Sequence, residues 1–200
     1  MKKCILTLLL MNAIFIVFAQ NLSISGNIST ENGDPICDVT VRLLGENDNE
    51  LAVLFTDENG DYSFGNLESR KTYYLTISKD SHVLNGVSTF DIIQLINHIL
   101  DNQRLETPLK IYSLDVNNSS FLSVSDAILL RKVILGVDAE FPTKSWRFLS
   151  SDTQIGENNP WAVGNPHIKV FKNLTASIDD SNFIGVKTGD ANGSAATGCN

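Results

Sequence analysis

The chain has 200 residues, a formal charge of −8 and 19% charged residues, with no cluster of lysine or arginine. An acidic surface of this kind excludes nucleic acid as a partner, because backbone phosphates are held by basic side chains that displace counterions. The length allows one large domain or two small ones.

Lys2 and Lys3 precede an apolar run from Ile5 to Phe18, and Val17-Phe18-Ala19 places small side chains before Gln20. This is the anatomy of a secretory signal peptide over residues 1–19, cut after Ala19. The run is shorter than the roughly twenty residues that span a bilayer, and no second apolar stretch follows, so the expectation is a protein secreted or held at the cell surface without a membrane span. Cys4 leaves with the signal, and Cys37 and Cys199 remain. In an oxidising compartment these two can close one disulfide, or they can stand as two thiols; sequence alone leaves both open.

From Leu22 to Lys79 the pattern is one of short strands. Leu22–Ile28, Val39–Leu43, Leu51–Thr56, Tyr62–Phe64 and Tyr73–Ile77 alternate with period two. Asn-Gly dipeptides at Asn32-Gly33 and Asn59-Gly60 supply the positive φ of tight turns. Several strands with no helix between them predict an antiparallel Greek-key, prealbumin-like β-sandwich over residues 20–79. Asp57, Asn59 and Asp61 imitate a ligand series, but Asn-Gly between two strands reads as a hairpin turn.

After residue 80 the period becomes helical. Ser88–Asn102 and Ser123–Val137 each carry an apolar stripe and each opens with a Ser-x-x-Asp capping box, Ser88/Asp91 and Ser123/Asp126. Ile93/Ile96/Leu100 and Ala127/Leu130/Ile134 are the stripes expected to pack on one another. An offset of 35 residues superposes Asp80 on Asp115, Ser88 on Ser123, Asp91 on Asp126 and Leu95 on Leu130, so residues 80–140 read as a duplicated loop and helix. Residues 141–200 are rich in Asn, Gly, Pro and Ser, and read as an irregular extension packed on that repeat. Short strands are expected there at Ile168–Phe171 and Phe183–Lys187.

The repeat holds the candidate chemistry. Asp115 to Asp126 is a twelve-residue loop running into a helix. Asp115, Asn117 and Ser119 fall at positions 1, 3 and 5, the Phe121 carbonyl at 7, Ser123 at 9 and Asp126 at 12, the spacing with which EF-hand-type loops surround Ca2+ with oxygens. Ser120 stands where such loops have a turn glycine. The same register makes Asp80 to Asp91 a first, weaker loop, since His82 and Leu84 occupy positions 3 and 5. Asp190 and Asn192 form a further Asp-x-Asn-Gly fragment, which is either an ordinary turn or a piece that folds back to complete a cation site.

The duplicated loop and helix resembles a dockerin type I domain, with aspartate at the last loop position (Asp91, Asp126) and Arg131-Lys132 on the second helix. Leu84-Asn-Gly-Val-Ser-Thr-Phe-Asp, Leu130-Arg-Lys-Val-Ile-Leu-Gly and Phe183-Ile-Gly-Val-Lys-Thr-Gly-Asp resemble the tail of large secreted Bacteroidetes proteins. There a carboxypeptidase-regulatory-like sandwich precedes the dockerin-like part. Ile24-Ser-Gly, Val39-Thr-Val and Thr56-Asp-Glu-Asn-Gly-Asp-Tyr-Ser-Phe are similar to that sandwich. The resemblance implies a non-catalytic calcium-binding adhesion or assembly module, docked on a cohesin-like or other extracellular protein module and linked to polysaccharide degradation. The alternative is a carbohydrate-binding β-sandwich using Tyr62, Tyr73 or Trp161. No catalytic motif is present, and His98 reads as a helix-face residue, so no enzyme is expected.

Overall fold

The computed structural model describes residues 21–156, 159–163 and 167–199; the expected signal peptide lies outside the described residues. Five strands follow in order: β1 (Leu22–Ser29), β2 (Thr40–Leu44), β3 (Glu50–Phe55), β4 (Asp61–Leu67) and β5 (Tyr73–Ser78). Then come α1 (Thr89–Ile99), α2 (Pro108–Leu114) and α3 (Val124–Ile134), and finally β6 (Trp146–Ser150), β7 (Ile168–Phe171) and β8 (Phe183–Lys187). No described helix is long and apolar enough to cross a membrane.

The strands form two four-stranded sheets, in the orders β4-β1-β8-β6 and β3-β2-β5-β7. The fold is mainly a β-sandwich, consistent with a prealbumin-like domain, and its inner faces alternate as the sequence does. Ile24, Ile28, Val41, Leu43, Leu75 and Ile77 are buried between the sheets, each removing a branched side chain from water.

Two features depart from the expected sandwich. The strands of residues 141–200 do not form an irregular extension on the helices alone: β8 and β6 complete one sheet, and β7 lies on the edge of the other. Trp146, Phe148, Leu174 and Phe183 enter the same core as Ile24 and Leu75. The second departure is that β8 runs parallel to β1, pairing Ile28 with Phe183 and Ser29 with Ile184, whereas the other pairings are antiparallel. A parallel neighbour needs a long crossover. Everything between β1 and β8 supplies it.

Gly26 lies at the tightest point of this closure. A Cβ there would come within 2.3 Å of the Ser181 carbonyl oxygen, and Tyr62 donates its hydroxyl hydrogen to the same oxygen. Burial pushes the Tyr62 phenol up to about 12, against a hydrogen bond that lowers it.

A second core lies among the helices, formed by Val87, Leu95, Leu114, Val116, Ala127, Leu130, Val133 and Phe141. The α3 stripe is buried as expected through Ala127 and Leu130. The α1 stripe is not: Ile93 and Leu100 are exposed, and α1 turns Asp91 and Leu95 inward instead, with Ile92, Ile96 and Ile99 half-buried beside them. Both capping boxes form. Both helices also close with the same motif. The Asp101 and Asn102 amides donate to the carbonyls of His98 and Asn97, and those of Gly136 and Val137 to Val133 and Lys132. Cys37 and Cys199 are joined by a disulfide across 162 residues, with Cα atoms 5.2 Å apart.

A chain ending at Lys79 therefore loses β6, β7 and β8 and opens the sandwich on one side. Such a fragment is expected to lack a cooperative thermal transition by circular dichroism, while the whole chain shows one. In the whole chain, Phe183→Ala is expected to cost about 3–5 kcal/mol in urea unfolding, because a fully buried aromatic is deleted between two sheets.

Candidate functional site

The loop after α2 is built around two buried carboxylates. Asp115 caps the end of α2. Its Oδ1 accepts from the Ser119 amide at 2.9 Å and its Oδ2 from the Ser120 amide at 3.0 Å. The Asn117 side-chain oxygen also accepts from the Ser119 amide, and Ser119 Oγ donates to the Phe121 carbonyl at 3.1 Å. At the far end, Asp126 Oδ2 accepts from the Ser123 amide and hydroxyl, and Oδ1 accepts from the Asn117 amide. The six residues read from sequence thus meet in one place, with Asp115 and Asp126 fully buried. Ser120, in the turn-glycine position, takes up positive φ of 64° and Asn118 takes 57°.

The N-terminus of α1 carries the same arrangement, but its first half comes from the end of the chain. Asp190 Oδ1 accepts from the amides of Asn192, Gly193 and Ser194, and Oδ2 accepts from Ala195 at 2.7 Å. The Asn192 side-chain oxygen accepts from the Ser194 amide, and Ser194 Oγ donates to the Gly86 carbonyl at 3.1 Å. Asp91 Oδ2 accepts from the Ser88 amide and hydroxyl, and its Oδ1 accepts from the Ala191 amide at 2.9 Å. Asp190, Asn192, Ser194, Gly86, Ser88 and Asp91 therefore take the places of Asp115, Asn117, Ser119, Phe121, Ser123 and Asp126, with two differences: Asp91 accepts from Ala191, one residue before the counterpart of Asn117, and Asp190 Oδ1 accepts two further amides.

This corrects the reading of the first loop. Asp80 is exposed and takes no part in the cluster, and His82 accepts from the Leu84 amide through Nδ1. Asp190 occupies the place that register alone gave to Asp80. The signal was present in sequence, for Asp190-Ala-Asn-Gly-Ser repeats the Asp-x-Asn-x-Ser of Asp115-Val-Asn-Asn-Ser. A search for a continuous twelve-residue loop passes over it. Ser194 and the Gly86 carbonyl are the members that sequence reasoning missed.

Electrostatics set each cluster a similar problem. Burial raises the Asp126 carboxyl above its ordinary range, and the Asp115 carboxylate raises it further, against hydrogen bonds from Ser123 and Asn117 that lower it. Asp190 is likewise raised by burial and by Asp91. Two desolvated carboxylates facing one another favour a proton or a cation between them. Lys187 lies near Asp190 and Asp91, donating from Nζ to the carbonyls of Val83 and Thr188, both at 3.0 Å. Burial lowers this ammonium to about 8, against Asp190 and Asp91, which raise it. Among the described residues no three His, Cys, Asp or Glu side chains are grouped to hold a metal. Each cluster instead joins two carboxylates to neutral amide, hydroxyl and carbonyl oxygens, a donor set suited to a hard cation and not to a soft one.

Residues 23–93 match the Carboxypeptidase regulatory-like domain. The match begins on β1, crosses all five N-terminal strands and ends inside α1, so this regulatory-like domain reaches the capping box and Asp91 but none of β6–β8. No curated protein matches the chain.

The Gly86 position tests the split cluster directly. Its φ is +75°, and a Cβ would sit 2.5 Å from the Ala195 nitrogen and 2.6 Å from Asp190 Oδ2. Gly136 has φ of +69° with nothing within 4 Å. Gly136→Ala is expected to cost about 1–2 kcal/mol from backbone alone. Gly86→Ala is expected to cost more and to speed exchange of the Ala195 amide, which Gly136→Ala leaves unchanged.

Proposed function

We propose that this protein is a secreted, non-catalytic calcium-binding adhesion or assembly module, dockerin-like in its helical part, whose sandwich serves as carrier. The single observation that carries this reading is the pair of matching oxygen clusters at the N-termini of α1 and α3. Each collects two carboxylates, an amide oxygen, a serine hydroxyl and a backbone carbonyl with another hydroxyl adjacent, enough for the six to eight oxygens that Ca2+ takes. Asp115, Asn117, Ser119, the Phe121 carbonyl, Ser123 and Asp126 would hold one ion. Asp190, Asn192, Ser194, the Gly86 carbonyl, Ser88 and Asp91 would hold the other. Bound calcium would neutralise carboxylates that are costly to keep charged while buried, and would make binding energy into folding energy.

Export is supported by the residues at the N-terminus and by a disulfide, which persists in oxidising compartments. A protein partner, cohesin-like or another extracellular module, is supported by apolar residues left exposed at equivalent places on the two helices. Ile93 and Leu100 of the first unit correspond to Ile128 and Leu135 of the second, and all four are more than half exposed. The carbohydrate-binding alternative is less favoured, since Tyr62 and Tyr73 are buried in the sandwich core, where no sugar ring can stack on them, which leaves the half-buried Trp161 alone of the three.

Calorimetry with calcium is expected to give two binding events. Asp115→Ala should remove one, Asp190→Ala the other, and Asp80→Ala neither. A thermal transition indifferent to millimolar calcium would overturn the reading and leave the loops as capped turns.

A further inference from the structure

The last ten described residues are held in an unusual way. Among the described residues, no backbone–backbone hydrogen bond anchors residues 191–199. The segment is fixed by side chains instead: Asp190 and Asp91 accept from its amides, and Asn85 exchanges two hydrogen bonds with Ala196, at 2.8 and 2.9 Å. Beyond Ala196 the one covalent tie to the sandwich is the bond from Cys199 to Cys37. Cys37 lies in the segment before β2 and is 5% exposed, whereas Cys199 is half-buried. The same tail covers a cavity of about 100 Å³ bordered by Thr30, Lys110, Trp146, Lys187 and Ala195.

We propose that the Cys37–Cys199 disulfide is a redox-sensitive latch that holds the segment after β8 against α1, so that its reduction frees residues 193–199 while the loop of residues 115–126 stays formed. A segment without backbone–backbone hydrogen bonds is ordered only where other contacts tie it down, and side-chain bonds near a surface open at low cost. The chemistry is a thiol–disulfide exchange with an external dithiol. Its thiolate attacks the more accessible Cys199 sulfur, and the Cys37 sulfur leaves as thiolate and takes a proton. The second thiol of the reductant then displaces Cys199 and closes the reductant's own disulfide, so two electrons and two protons reach the protein. The buried Cys37 thiol is not stranded, since its Sγ lies 2.9 Å from the Asp57 carbonyl oxygen. The loop of residues 115–126 is continuous in sequence and has no such tether, which makes it an internal control.

The latch predicts that the two clusters respond differently to one bond. Its effect on calcium rests on the calcium reading above; its effect on the tail does not. Hydrogen exchange of the whole chain is compared as the oxidised protein, after dithiothreitol, and as Cys199→Ser. In the reduced protein and the variant, the amides of Gly193, Ser194 and Ala195 are expected to exchange at least about ten-fold faster, with those of Ser119 and Ser120 unchanged. Unchanged rates at Gly193–Ala195, or equal acceleration at both loops, would overturn the latch, the second by showing that the disulfide supports the whole fold. Cys37→Ala/Cys199→Ala should reproduce the effect of reduction; oxidised-like rates in that variant would also overturn it. In calcium calorimetry, Cys199→Ser should keep the event removed by Asp115→Ala and weaken the one removed by Asp190→Ala. Tail release without calcium binding in any form would sustain the latch and end the calcium reading.

Discussion

The pairing of β8 with β1 is the constraint on which the remainder of the molecule depends. Ile28 and Phe183 lie side by side in one sheet, although the helices and most of the chain separate them. Through this pairing β6 gains an inner position for Trp146 and Phe148, and the sandwich closes over its core. It also sets where the chain goes next. Lys187 and Thr188 are buried at the end of β8, so the chain emerges beside α1 and Asp190 meets Asp91.

The two clusters show how one local chemistry can arise from different chain geometries. In the second, Asn117 and Asp126 are 9 residues apart; in the first, Ala191 and Asp91 are 100 apart. Closing the longer loop in a flexible chain costs about 2 kcal/mol more. That cost falls on the sheet, which has already brought the two segments together. Most of the hydrogen-bond pattern is then shared, including the serine hydroxyl given to a carbonyl, and so is the burial of facing carboxylates.

Local signals in the sequence were strong where one element decides its own form. Period-two alternation placed all five N-terminal strands, and the Ser-x-x-Asp boxes placed the starts of α1 and α3. α2 was missed, because seven residues beginning with Pro108 give too short a run for a period, and its Thr107 cap has no acidic partner three residues on. β6 was missed because Trp-Arg-Phe-Leu-Ser is apolar on both faces: Trp146 and Phe148 point into the sandwich while Leu149 packs with Leu109 and Tyr112 on the other side. The exposure of Ile93 and Leu100 was illegible for a different reason, since α1 is apolar on more than one face and only tertiary packing selects which face turns inward. The register that gave Asp80 to the first loop failed because sequence adjacency stood in for spatial adjacency.

The parallel arrangement of β1 and β8 also fixes an order of assembly. A chain emerging from its N-terminus can form the hairpins of residues 22–78 and the loop of residues 115–126 from neighbouring segments. It cannot finish either the β4-β1-β8-β6 sheet or the cluster at Asp91 until β8 and the residues after it are available. Contacts this distant in sequence are slow to form, and until then Ile24 and Ile28 have an open edge beside them. Residues 183–199 therefore act as a keystone: a polypeptide stopped short of Phe183 has neither a closed core nor a complete first cluster.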